Sequence, residues 1–171
     1  MDTAPDPVDT SASPTPEAVW AALQDVPDPE IPVVSVVELG MVRGVEVTGT
    51  HVRVDITPTF AGCPAFHAIR EAVSDRILEL GATEVEVRRQ LAPAWSSDDM
   101  SDAARAKLRA FGIAPPARHG GLVLPELEAP VACPRCNSFD TELRGAFGSA
   151  LCREIYTCRS CQETFERFKP L

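Results

Sequence analysis

The sequence predicts an α+β fold in two parts, a small domain of helices on a sheet followed by a Cys-rich metal ribbon. Three observations carry this. Apolar residues recur with period two in Val52-Arg53-Val54-Asp55-Ile56, then with helical period at Phe66, Ile69, Val73, Ile77 and Leu80. Residues 113–130 hold Pro115, Pro116, Gly120, Gly121, Pro125 and Pro130, a composition that extends a chain but packs no core. Beyond them stand two C-x-x-C pairs, Cys133/Cys136 and Cys158/Cys161, with 21 residues between. The expected organisation is a disordered tail over 1–14, an α+β domain over 15–112, a Pro/Gly-rich linker over 113–130 and a four-cysteine zinc ribbon over 131–171.

Residues 1–14 are Pro, Ser, Thr, Ala and Asp with little to bury. Thr15-Pro16-Glu17 has the form of a helix start: a capping hydroxyl, a proline where no N–H is needed, and an acid in the first turn. Val19, Trp20 and Leu23 share one face of this helix, which ends before Pro27. Asp28-Pro29-Glu30-Ile31-Pro32 is a rigid loop carrying two carboxylates, and by its chemistry alone a solvated turn. Val42–Val47 and Val52–Thr57 flank Thr48-Gly49-Thr50 and predict a hairpin. A helix is expected over Pro64–Leu80 with Gly81 as its stop, then a strand over Glu84–Leu91 with Val85 and Val87 inward. A third helix starts near Ser97 or Ser101 and runs to Phe111, with Ala104, Leu108 and Phe111 as its apolar stripe and Gly112 ending it. Within the linker, Leu122-Val123-Leu124 is apolar enough to dock.

The organising stretch is Thr57-Pro58-Thr59-Phe60-Ala61-Gly62-Cys63-Pro64, where a strand hands over to the best helix. With Pro64 at the first helical position, Cys63 falls at the N-cap, facing unpaired N–H groups and the positive end of the dipole. That microenvironment predicts an exposed thiol with its pKa below the usual ~8.5. The plainer reading is a buried cysteine packing as a small hydrophobe. His67 lies one turn further on the same face, where it reads as a surface residue within reach of the thiol or of a metal there. His51 and His119 read as solvated.

Each C-x-x-C knuckle lets two thiolates reach one ion, so Cys133, Cys136, Cys158 and Cys161 can close a tetrahedral four-sulphur site. About forty residues cannot otherwise bury a stable core, so metal is needed for the fold. Zinc is the expected ion, with iron as the alternative for the same ligands. Strands are expected over Thr141–Arg144, Arg153–Thr157 and Thr164–Phe168, and Cys152 reads as a packed strand residue. From Pro130 on, six basic residues face five acidic ones, and the whole chain carries a net charge of −9. Neither is the basic face of a nucleic-acid or anionic-membrane binder. No Lys or Arg precedes Arg43 and no long apolar run occurs, so neither a signal peptide nor a membrane span is expected, and the default compartment is the cytoplasm. Cysteines paired as C-x-x-C in that setting read as metal ligands, not disulfides.

Asp28-Pro29-Glu30-Ile31, Glu38-Leu39-Gly40-Met41-Val42, Thr57-Pro58-Thr59, Gly62-Cys63-Pro64, Trp95 and Met100-Ser101 together resemble the SufT-type (MIP-type) domain of iron–sulphur protein maturation. With Phe147-Gly148-Ser149, Cys152 and the two knuckles behind them, the chain from about Val19 onward is similar to the PaaD family, which serves bacterial phenylacetyl-CoA epoxidase systems. The resemblance implies that Cys63 is the working residue, with Asp28, Glu30, Thr57 and Thr59 walling one site. It implies a role in aerobic phenylacetate breakdown beside oxygenase subunits with a di-iron centre and a reductase with flavin and an iron–sulphur centre. It also implies iron–sulphur assembly proteins as partners. No role for His67 carries over.

The leading functional reading is an accessory maturation factor, not itself a catalyst, in which Cys63 transiently holds iron or an iron–sulphur unit. One thiolate cannot hold a cluster tightly, so a homodimer or the client must add ligands. The alternative is a rubredoxin-like electron-transfer module with iron in the four-cysteine site. A Cys63 thiol enzyme is a third reading, for which the sequence supplies no assured base.

Overall fold

The computed structural model describes residues 13–121 and 130–171. The tail expected at 1–14 lies almost wholly outside the described residues, as does Leu122-Val123-Leu124. Helix α1 (Pro16–Leu23) starts as its sequence dictates, with the Ala18 N–H donating to Thr15 Oγ1 at 3.2 Å. Val19 and Leu23 are buried and Trp20 is half-buried against the same core. Strands β1 (Val42–Thr48) and β2 (His51–Ile56) pair antiparallel around a two-residue turn, Gly49-Thr50, and Gly49 takes the positive φ (61°) that such turns require. Val52, Val54 and Ile56 are fully buried while Arg53 and Asp55 are not, so the period-two pattern seats the strand.

Helix α2 (Phe66–Leu78) carries the chain across the sheet to β3 (Glu84–Arg89), which lies parallel to β2 with Val85 opposite Val52 and Val87 opposite Val54. A parallel pair needs such a crossover, and Phe66, Ile69, Val73 and Ile77 bury its inner face. The helix is two residues shorter at each end than its apolar period suggests. Ala65 is the N-cap and supplies no side-chain cap, so Pro64 precedes the helix and is not its first residue.

Both expected starts of the third helix are used. Ser96 caps a 3-10 turn (Ser97–Asp99), and Ser101 caps α3 (Asp102–Phe111) through the Ala104 N–H. Ala104 and Leu108 are buried, but Phe111 at the last position points outward, 52% exposed. His119 is not solvated. Its Nε2 lies 3.2 Å from Ser97 Oγ and 3.2 Å from the Leu171 carbonyl oxygen, while its backbone N–H and that of Gly120 donate to the Asp98 carboxylate. The Ser97 N–H also donates to the Leu171 carbonyl at 2.8 Å, so the last residue of the chain is tied to the α+β unit.

The segment expected as a plain linker begins with a strand. β4 (Ile113–Ala114) pairs parallel with β7 (Thr164–Phe168), which pairs antiparallel with β6 (Arg153–Cys158), which pairs antiparallel with β5 (Thr141–Gly145). The second sheet thus has the order β4-β7-β6-β5, with β4 contributed from the α+β side. The cores merge as well: Ala150, Cys152 and Phe168 belong to the same buried cluster as Val19, Ile31, Val54 and Ile69. Trp95 is the seam's central ring. It stacks at a tilt on Phe168, with centroids 5.6 Å apart, and its Nε1–H donates to the Leu39 carbonyl at 2.8 Å. Gly40, next in the chain, has φ 71°, and a Cβ there would lie 2.3 Å from the Asp99 carbonyl oxygen. The Glu-Leu-Gly-Met-Val motif is therefore a packing device: only glycine lets the turn pass against the Ser97–Asp99 turn beside Trp95.

Candidate functional site

Asp28 organises the first loop. Its backbone N–H donates to the Val34 carbonyl at 2.9 Å, and its Oδ1 accepts the N–H groups of Glu30 and Ile31, both at 2.9 Å. The carboxylate is buried, so it is a loop cap and not the group of a solvated turn. Backbone hydrogen bonds then run in series from this loop across the domain: Val36 N–H to Val26 carbonyl, Met41 N–H to Val36 carbonyl, Thr57 N–H to Met41 carbonyl. This register sets the Asp28 loop beside the end of β2. Thr57 is buried there and its Oγ1 has no hydrogen-bond partner among the described residues, a state that buried hydroxyls rarely show. Thr59 is half-buried in the loop that follows.

Cys63 ends that loop, half-buried, with its N–H donating to the Phe60 carbonyl at 2.9 Å. The N–H groups of Ala65 and Phe66 favour the thiolate, as a position before a helix predicts. Its acidity is nevertheless the reverse of the expectation. Burial, the largest cause, pushes the Cys63 thiol up, and the Glu30 and Asp28 carboxylates add to it against the Ala65 and Phe66 N–H groups. The helix terminus is real, but the acids of the first loop face the same thiol. Asp28 is itself held above the ordinary carboxylate value by burial, against its two backbone bonds and the Arg153 guanidinium. Glu30 is raised by burial and by Asp28. His67, by contrast, is exposed and pairs with Glu71 one turn along, at 3.3 Å.

Sequence reasoning left two residues out of this neighbourhood. Arg153 opens β6, buried, with one nitrogen 2.7 Å from Glu166 and the other donating to the Glu30 carbonyl at 3.5 Å. Glu166 is fixed in turn by the N–H and hydroxyl of Ser149, and Gly148 leaves the room this needs, since a Cβ there would meet Glu166 at 2.5 Å. The Phe147-Gly148-Ser149 motif so aims Arg153 at the Asp28 loop. Cys152, buried just before it, has its thiol pushed up to about 11, chiefly by burial and then by Glu30. Its signal in the sequence is that it alone of the ribbon cysteines stands outside the C-x-x-C pairs.

The second site is the knuckle pair. The thiols of Cys133, Cys136, Cys158 and Cys161 lie within 4.8 Å of one another, with Cys133–Cys161 at 3.8 Å and Cys136–Cys158 at 3.6 Å. Four sulphurs each ~2.3 Å from a tetrahedral ion stand ~3.8 Å apart, so the donor set fits a metal ion without rearrangement. Glu163 and Ser138 tie the knuckles: the Cys158 N–H donates to the Glu163 carbonyl and the Cys133 N–H to the Ser138 carbonyl.

Two expected results test the first site. With the ribbon metal-loaded, sub-stoichiometric iodoacetamide at neutral pH should alkylate Cys63 before Cys152, because Cys152 is more buried and harder to ionise. Peptide mass mapping reads the order, and labelling of Cys152 first would reverse it. Asp28→Asn should raise the denaturation midpoint at pH 7. A carboxyl held above its unfolded value makes folding lose stability as pH rises through that window, so its charge is destabilising at neutrality. Asn retains an oxygen for the Glu30 and Ile31 N–H groups. The gain should vanish below about pH 4, where both states hold the proton; a midpoint lowered at pH 7 would show that the charge stabilises the loop.

Residues 16–88 match a protein-family model described as an iron-sulfur cluster assembly protein, and residues 119–169 match one described as the PaaD zinc beta ribbon domain. Among solved structures the chain is similar to a domain of unknown function from Bacillus anthracis, with TM-score 0.51 and 30% identity over 54% of this chain and 90% of that one. It is similar also to a conserved hypothetical protein from Thermotoga maritima, with TM-score 0.50 and 32% identity over 57% and 97%. A protein of Escherichia coli named as the D subunit of 1,2-phenylacetyl-CoA epoxidase is 44% identical over 160 residues, which are 94% of this chain and 96% of the relative. With that identity over nearly the whole of both chains, and with both family models matched in order, the chain belongs to the PaaD family of phenylacetyl-CoA epoxidase subunits.

Proposed function

We propose that this chain is a cytoplasmic accessory subunit of a phenylacetyl-CoA epoxidase system in aerobic phenylacetate catabolism. Its work is to help mature an iron or iron–sulphur centre, with Cys63 as the transient ligand of that cargo and Asp28, Glu30, Thr57 and Thr59 as the wall of its site. The observation that carries the reading is the setting of Cys63: a half-buried thiol beside two buried or part-buried carboxylates. Thiolate and carboxylate together are ligand types for iron. A nucleophilic enzyme would need a thiol drawn down by a base or a cation, and here the thiol is pushed up. The ribbon, on this reading, holds structural zinc through Cys133, Cys136, Cys158 and Cys161. The closed four-thiolate set suits a structural ion, and its likeness to a zinc ribbon supports that choice over iron. The oxygenase and reductase subunits and the iron–sulphur assembly proteins are the partners this function requires.

The test is the metal content of the oxygenase made beside wild-type protein or beside Cys63→Ser. A hydroxyl replaces the thiol sterically but not as a soft ligand, so the oxygenase should carry several-fold less metal and consume oxygen correspondingly slowly. Adding the purified chain to metal-replete oxygenase and reductase should leave the rate unchanged. A rate rising in proportion to the added chain would overturn the maturation reading in favour of an electron carrier with iron in the four-cysteine site.

A further inference from the structure

A cavity of about 290 Å³ opens between α2 and β3, lined by Phe66, His67 and Arg70 of the helix and by Val87 and Arg89 of the strand. The period-two alternation of β3 puts Arg89 on the side of Val85 and Val87, and its guanidinium carbon sits 4.0 Å from the centroid of the Phe66 ring. Its neighbour Arg88, of opposite parity, forks onto the Asp55 carboxylate with two bonds of 2.7 Å. On α2 the acid beside Arg70 is Glu71, and it pairs with His67 at 3.3 Å. Arg70 and Arg89 are thus left over. Among the described residues their guanidinium groups neither donate a hydrogen bond nor enter an ion pair, whereas every other arginine of the chain does one or the other. In a chain of net charge −9 carboxylates outnumber guanidiniums, so two unpaired cations around one cavity stand out against the rest of the surface. Stacking on Phe66 holds Arg89 by its face and leaves its N–H edge free to donate.

We propose that this cavity binds a small, multiply charged oxyanion, a phosphate monoester or a polycarboxylate, held between the Arg70 and Arg89 guanidiniums against the Phe66 and Val87 wall. Each guanidinium presents a planar fork of donors that matches a carboxylate or phosphate edge, and two of them on different elements suit an anion that carries more than one charge. The cavity is close to the lower bound for small-molecule pockets, about 300 Å³, so it fits a ligand of metabolite size and not a folded partner segment. The net negative charge of the chain repels anions in general, so affinity has to come from this pair and not from a diffuse basic field. The site is independent of the proposed role of Cys63, although the two are neighbours in the chain: the Phe66 N–H donates to the Cys63 carbonyl at 3.3 Å.

The experiment titrates the full chain, its ribbon zinc-loaded, with glycerol phosphate, with tricarballylate and with a Glu-rich peptide. Ionic strength is held at about 0.15 M, where diffuse attraction is screened. Calorimetry reads the affinity and amide NMR reads the place. At least one of the two small anions should saturate a single site and shift the Phe66, His67, Arg70 and Arg89 signals together. Arg70→Gln and Arg89→Gln should each weaken that binding at least about tenfold, the loss expected for one charge-assisted hydrogen bond, with melting temperature and zinc content near wild type. Arg70→Gln is the cleaner variant, because Arg89→Gln also removes the contact with the Phe66 ring. Tighter binding of glycerol phosphate would assign the ligand as a phosphate monoester, and tighter binding of tricarballylate as a polycarboxylate. Failure of both small anions to saturate, whether or not the peptide does, would overturn the site, and so would variants that bind like wild type.

Discussion

Stripping the metal from the Cys133, Cys136, Cys158 and Cys161 thiols should unfold the ribbon and loosen the α+β unit with it. Structural metal in small Cys-rich folds contributes ~10–16 kcal/mol, more than such a segment can recover by burial. The sequence, divided by a Pro/Gly-rich linker, suggests a first domain that would survive this loss. The structure argues otherwise. β4 would lose β7, Trp95 would lose Phe168, and the buried cluster would lose Ala150 and Cys152. Chelation should abolish amide protection across β5–β7 first, then lower it around Trp95 and Met100, and should shift tryptophan emission to the red. A Trp20→Phe background isolates the Trp95 signal. Hydrogen exchange that stays at wild-type levels from residue 15 to 112 after the metal is gone would show two independent folds.

Trp95→Ala should cost about 3–5 kcal/mol, the usual penalty for emptying a buried aromatic site. It removes the ring that packs on Phe168 and leaves the Leu39 carbonyl without its donor. In a chain of this size the melting temperature should fall by roughly 10 °C or more. Trp95→Phe should recover most of the packing and lose only the hydrogen bond. A Trp95→Ala midpoint within about 1 kcal/mol of wild type would mean that the two units do not share the seam described. The same variant bears on the proposed site, because Arg153 of the ribbon reaches the Glu30 carbonyl across the junction that Trp95 and Phe168 pack.

Much of this is legible in the chain. Thr15-Pro16, the Val52-Val54-Ile56 alternation, the Phe66-to-Ile77 period, the Ser101 cap and the Gly81 and Gly112 stops are local signals, each read within one turn of helix or one strand pair. The four-thiol cluster is equally plain, since ligand spacing within a knuckle is local and only one geometry lets four such thiols share an ion. Composition and charge bound the partners, and the motif set points to the family.

What the sequence could not decide were sums over distant residues. The acidity of Cys63 is one. The helix terminus is visible within a few residues of it, but the burial that leads the shift is a tertiary property, and the two carboxylates that add to it stand more than thirty positions earlier. His119 is another, since its burial depends on the last residue of the chain meeting Ser97. The Asp28 loop reads as a solvated turn because burial is a tertiary property, and Asp28 Oδ1 accepts the Glu30 and Ile31 N–H groups inside that buried loop. Most of all, the chain shows two units and a linker, whereas the fold merges them. Ile113-Ala114 is too short to announce itself as a strand, and it becomes one only because β7 presents an open edge. That pairing, with Trp95 on Phe168, is what brings Cys152 of the ribbon to the loop of Asp28 and Glu30.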